Sequence, residues 1–87
     1  MNRYVVDGRR FKDKQSAHRY LKRKFAFPEY YGNNADALYD CLSERKDMEI
    51  IIRYSSSIVK FMGGEGEKLI SVFKDIGERE DISIVFA

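Results

Sequence analysis

The run Met48-Glu49-Ile50-Ile51-Ile52-Arg53-Tyr54 constrains this chain more than any other stretch. Three consecutive isoleucines are β-branched and fit a pleated strand better than a helix. A near-continuous apolar centre reads as a strand buried on both faces, the pattern of a parallel sheet. Parallel neighbours need a long crossover, usually a helix, on each side. The run therefore asks for a strand before it, a strand after it, and helices between.

The flanking sequence supplies them. Arg3-Tyr4-Val5-Val6 is a short β-branched and aromatic run stopped by the turn pair Asp7-Gly8, and Ile82–Phe86 closes the chain as a third strand. Between the first two strands, Ala17, Tyr20, Leu21 and Phe25 recur at helical spacing, which leaves His18, Arg19, Lys22 and Arg23 mostly on the wet side. This helix should stop before Phe27-Pro28, because the residue before proline disfavours helical backbone. Pro28–Asn34 is a loop, and Asn33 or Asn34 can cap a second helix from Ala35 to about Glu44. Its apolar stripe is Leu38, Cys41 and Leu42, with Ala37 beside them. Beyond the isoleucine run, the serines 55–57 and Gly63-Gly64 bracket a short helix over Ile58–Met62. Leu69, Ile70, Val72, Phe73 and Ile76 mark a longer one from about Glu65 to Glu78. The expected fold is α/β: one domain over residues 1–87, with a three-stranded parallel β-sheet packed with three to four helices.

Enzymatic chemistry has little to work with. One His and one Cys offer no metal-ligand spacing, so neither metal nor cofactor is expected. A Cys41–His18 nucleophile pair is possible in composition, but Cys41 shares the apolar stripe with Leu38 and Leu42 and reads as a small core hydrophobe. Gly63-Gly64-Glu65-Gly66 leads into a helix, yet Glu65 and Glu67 would repel phosphate, and the segment reads as a turn. The N-terminus has no long apolar run and turns basic at once, so the cytoplasm is the expected location and no membrane partner is expected.

Charge is where the chain is unusual. Its net charge of +2 conceals two opposed blocks. Residues 1–24 carry nine Lys and Arg against two Asp, a balance of +7. Residues 25–44 carry Glu29, Asp36, Asp40 and Glu44 and no Lys or Arg, a balance of −4. Such an acidic island suits a positively charged partner. Asp36 and Asp40, four apart on one exposed helix face, make a poor acid–base pair, since exposure opposes the pKa shift that such catalysis needs. Two acids on a helix are often only a solvated face. Here Tyr30, Tyr31 and Tyr39 flank them, and Tyr is enriched at protein interfaces. The basic block reads as a solvated helix face, with RNA binding as the alternative.

The stretch Pro28-Glu29-Tyr30-Tyr31-Gly32-Asn33-Asn34-Ala35-Asp36-Ala37-Leu38-Tyr39-Asp40-Cys41-Leu42 resembles the signature of the barstar family, P-E-Y-Y-G-x-N-x-D-A-L-x-D-C-L. The helix containing His18, the apolar strand near residue 50, Val72-Phe73 in a late helix and Asp81-Ile82-Ser83-Ile84-Val85 extend the likeness over nearly the whole chain. The resemblance implies an inhibitor of a barnase-like, extracellular-type ribonuclease, not an enzyme. It implies that the second helix and its preceding loop plug the active site, carboxylates standing where RNA phosphates would lie. The binding residues it implies are Tyr30, Gly32, Asn34, Asp36, Tyr39, Asp40, Ser43 and, in the late helix, Asp75. A monomer forming a 1:1 complex follows, with no direct nucleic-acid partner. An immunity or regulatory protein for a non-ribonuclease toxin is the alternative. The chain departs from the family pattern at Tyr39 and Arg45, where the pattern has Trp, and in its weakly positive net charge.

Overall fold

The sheet forms around the isoleucine run. The computed structural model describes residues 2–87. Its elements are β1 (Asn2–Asp7), α1 (Lys14–Phe25), α2 (Ala35–Ser43), β2 (Met48–Arg53), α3 (Ser55–Met62), α4 (Gly64–Ile76) and β3 (Ile82–Phe86), with a single 3-10 turn at Gly8–Arg10. β2 lies between β1 and β3 and runs parallel to both. The register sets Tyr4, Ile50 and Ile84 in one row and Val6, Ile52 and Phe86 in the next. Met48, Ile50 and Ile52 are at most 1% exposed. Full burial of each such side chain contributes roughly 1.5–3 kcal/mol.

The expected burial of β2 on both faces is corrected. Glu49 and Ile51 are half-buried and Arg53 is exposed. Val5 and Val85, the partners of Ile51 in register, are 42% and 46% exposed. The helices cover one face only, and Arg3 pairs with Glu49 at 2.9 Å on the other. Ile51 is sheltered by its lateral neighbours, so an unbroken apolar run arose without a second helical layer.

α1 starts at Asp13, whose carboxylate accepts from the Ser16 N–H at 2.8 Å. It ends in a left-handed residue, Ala26 at φ 54°, with the Phe27 N–H reaching back to the Lys22 carbonyl at 2.9 Å. His18 is not on the wet side. It is 1% exposed, on the same stripe as Ala17, Leu21 and Phe25. Its spacing of three and seven from Leu21 and Phe25 puts it on the core face, and its polarity concealed this.

The serines 55–57 do not precede α3 but form its first turn. The reversal out of β2 is made by Tyr54 in the left-handed region. Likewise, Gly64–Gly66 begin α4, and only Gly63, at φ 58°, breaks the path between the two helices. Gly66 lets them meet: a Cβ there would lie 2.5 Å from the Ile58 carbonyl oxygen.

Candidate functional site

α2 is a nine-residue helix whose inner side is anchored by Leu38 and Leu42, both fully buried, with Cys41 packed half-buried beside them. Burial raises the Cys41 thiol pKa, which keeps it protonated and unreactive. Asn34 starts the helix. Its side-chain oxygen accepts from the Ala37 N–H at 2.8 Å, and its amide donates to the Gly32 carbonyl at 3.3 Å. One side chain thus fixes both the helix and the loop before it. Gly32 keeps that loop close to α2, since a Cβ there would sit 3.3 Å from Ala37 Cβ.

The outer side carries Asp36, Tyr39, Asp40, Ser43 and Glu44, all exposed. Tyr30 stands out from the loop at 85% exposure and Tyr39 from the helix at 44%. Ser43 Oγ donates to the Asp40 carbonyl at 2.8 Å, which turns the hydroxyl back onto the helix. Among the described residues, none of Asp36, Asp40, Glu44 and Asp75 joins an ion pair. Asp75, on α4, lines a surface groove of about 420 Å³ together with Asn34 and Asp36. The groove is also bordered by Lys14, Glu65 and Lys68. The structure therefore brings Asn34, Asp36 and Asp75 together across α2 and α4. Tyr39, Asp40 and Ser43 lie further along α2, and Tyr30 and Gly32 on its approach.

Tyr31 does not belong to this surface, although the sequence set it beside the acids. It is 5% exposed, packs on Phe27 and shares a 2.7 Å hydrogen bond with His18 Nδ1. Burial lowers the His18 pKa and raises that of Tyr31, so both stay neutral. The pair pins the 28–34 loop to α1 from beneath.

Two arginines that sequence reasoning did not place hold the far end. Arg79 donates to the Ser43 carbonyl at 2.9 Å and pairs with Asp81 at 3.0 Å, closing the C-terminus of α2. Arg45 reaches inward to the Phe25 carbonyl and the Tyr4 hydroxyl, and its guanidinium lies 5.5 Å from the Phe27 ring centroid. It is half-buried and ties α1, β1 and the loop together. The only signal in sequence was a cation where the family pattern has an aromatic. Among the described residues no cluster of His, Cys, Asp and Glu could hold a metal, and no helix is long and apolar enough to cross a membrane.

This arrangement presents exposed, unpaired carboxylates beside exposed tyrosines, a surface that can meet a cationic cleft with charge-assisted hydrogen bonds. The family model for Barstar (barnase inhibitor) matches residues 1–87. A Bacillus subtilis (strain 168) protein named "Putative ribonuclease inhibitor YrdF" is 32% identical over 80 residues, which is 90% of this chain and 88% of that protein. On a match across its full length and a relative of the same size, the chain belongs to the barstar family.

Proposed function

We propose that the chain is a cytoplasmic inhibitor of a barnase-like, extracellular-type ribonuclease, acting as an immunity protein in a 1:1 complex. The observation that carries this reading is the set of exposed, unpaired carboxylates on α2, Asp36 and Asp40, flanked by Tyr30 and Tyr39. A ribonuclease holds RNA phosphates with Arg, Lys and His, and carboxylates can take those positions. In a water-excluded cleft each charge-assisted bond is roughly twice as strong as a neutral one. Tyr30 and Tyr39 cover the rim and keep water out, while Gly32 and Asn34 hold the loop in shape. Asp75 adds a contact from α4 where it shares the groove with Asp36.

Asp40 is central on the outer side of α2 and is the expected hot spot. Hot-spot truncations cost about 2 kcal/mol or more, some 30-fold in affinity. The test is titration of barnase-catalysed RNA cleavage with the purified chain. Stoichiometric loss of activity is expected, weakened more by Asp40→Ala than by any other single truncation. An unaffected ribonuclease, or Asp40→Ala acting like wild type, contradicts the proposal.

A further inference from the structure

The outward side of α1 is as strongly charged as α2, with the opposite sign. Arg10, Lys12, Lys14, Arg19, Arg23 and Lys24 are all exposed. Lys12, Ser16, Arg19 and Arg23 follow one side of the segment at spacings of four, three and four and line a groove of about 260 Å³. Arg19 also borders a second groove of about 430 Å³, which Lys14 and Lys22 share. The nearby acids are engaged or lie at one edge: Asp13 caps α1, Glu29 pairs with Lys22 at 3.2 Å and Asp7 with Arg9 at 3.0 Å, while Lys14 also borders the groove of Asp36, Glu65 and Asp75.

Helix stability accounts for only part of this. Lys22, Arg23 and Lys24 lie in the last turn, where cations offset the helix dipole. Lys12 and Lys14 flank the N-terminus, where the same dipole disfavours them, and α1 has no acid within its first turn. The face also lacks what a protein interface or a membrane would use. Its apolar stripe is in the core, and the two aromatics that border it are spent: Phe27 is buried, while the Tyr20 hydroxyl accepts from the Asp7 N–H at 2.8 Å and Arg10 covers its ring at 5.0 Å. Three guanidiniums, at Arg10, Arg19 and Arg23, can each grip a phosphate by two parallel bonds. With no exposed aromatic for base stacking, the face fits a phosphodiester backbone read without regard to sequence.

Against the expectation of no nucleic-acid partner, we infer that the α1 face, centred on Arg19 and Arg23, binds the phosphate backbone of RNA, and meets the acidic face of α2 only at Lys14. The choice of RNA over DNA rests on the proposed ribonuclease reading; the phosphate chemistry does not. The same molecule would then sit on the polymer that its target enzyme cleaves.

The experiment is fluorescence anisotropy of a labelled, unstructured RNA of about 20 nucleotides with the full chain and no ribonuclease present. Binding is expected at about micromolar Kd in 50 mM salt; about four phosphate contacts would weaken it about 50-fold in 200 mM salt. Arg19→Glu/Arg23→Glu and, in case charge reversal disturbs folding, Arg19→Ala/Arg23→Ala should each lose about tenfold or more, while Asp40→Ala should lose nothing. Polyglutamate and phosphatidylserine vesicles should bind at least about tenfold more weakly than RNA. The inference is overturned by no RNA binding at about 100 μM protein in 50 mM salt, or by arginine variants within about twofold of wild type. Polyglutamate or vesicles binding as tightly as RNA would also overturn it. So would salt-sensitive self-association, lost in the arginine variants, without RNA binding. Because no ribonuclease is in the assay, each of these failures leaves the Asp40 inhibition test standing.

Discussion

α1 and α2 pack beside one sheet and are joined by one loop, yet they treat charge in opposite ways. On α1 the cations of the last turn lie where a helix dipole favours them, and Asp13 holds the N-terminus. On α2 only Asp36 is in a favourable first turn. Asp36, Asp40 and Glu44 then repeat every four residues, so each repels the next, and Glu44 stands at the unfavourable C-terminal end. The structure answers with Arg79 on the Ser43 carbonyl rather than with an ion pair to the acids. On the proposed function, charges that a helix would be better without are charges kept for a partner. That contrast separates α2, and the N-terminal cations of α1, from ordinary solvated faces.

The inner sides of the two helices show the opposite economy, because there α1 holds the loop that leads to α2. Tyr31→Phe would leave buried His18 Nδ1 without its partner, and should cost about 1–3 kcal/mol by urea denaturation. The α2 charges would be untouched, so ribonuclease binding should fall far less than in Asp40→Ala. Equal losses in both assays would mean that the pin, not the acids, makes the site.

The same pair gives a pH dependence. His18 is neutral in the fold, because burial lowers its pKa from 6.5; nearby Lys14 lowers it further and Glu65 opposes this. As pH falls below 6.5 the unfolded chain takes up a proton that the folded chain refuses, so stability should decline. It is fully present above that value. His18 is the single histidine, so its imidazole NMR titration reads this directly. An imidazole titrating at or above 6.5 would contradict the buried, neutral reading.

Smaller effects sharpen the contrast at the helix ends. Ala26, left-handed at φ 54°, carries a steric cost that glycine would not, and Ala26→Gly should stabilise the protein by about 1 kcal/mol in thermal or urea unfolding. Glu44→Gln should stabilise by a few tenths of a kcal/mol, as the dipole and the i,i+4 repulsion are both relieved. A loss of stability in Glu44→Gln would show that α2 gains from its acids and would remove the argument from misplaced charge.

Much of the fold was legible from periodicity alone. The isoleucine run and the Asp7-Gly8 stop each specified an element, the Leu38-Cys41-Leu42 stripe an element and its inner face, and the parallel sheet followed from the helices between strands. What was not legible depended on distant partners. The burial of His18 and Tyr31 is a joint property of residues thirteen apart, and either alone reads as a polar or amphipathic surface residue. The open face of the sheet could not be foreseen from Ile50-Ile51-Ile52, because an isoleucine sheltered only by Val5 and Val85 looks the same in sequence as one under a helix. The acids of α2 were evident as an island of charge, and the resemblance added Asp75. That Asp75 shares a groove with Asp36 is visible only once α2 and α4 are packed.

The most direct test measures one variant twice. Asp40→Asn keeps the shape of the side chain and removes the charge that α2 would be better without. Urea unfolding of the free protein should show stability unchanged or raised by a few tenths of a kcal/mol. Titration of barnase should show affinity lost by about 30-fold or more. Stability and affinity falling together, or affinity held within about twofold, would contradict the claim that the acids of α2 are kept for a ribonuclease.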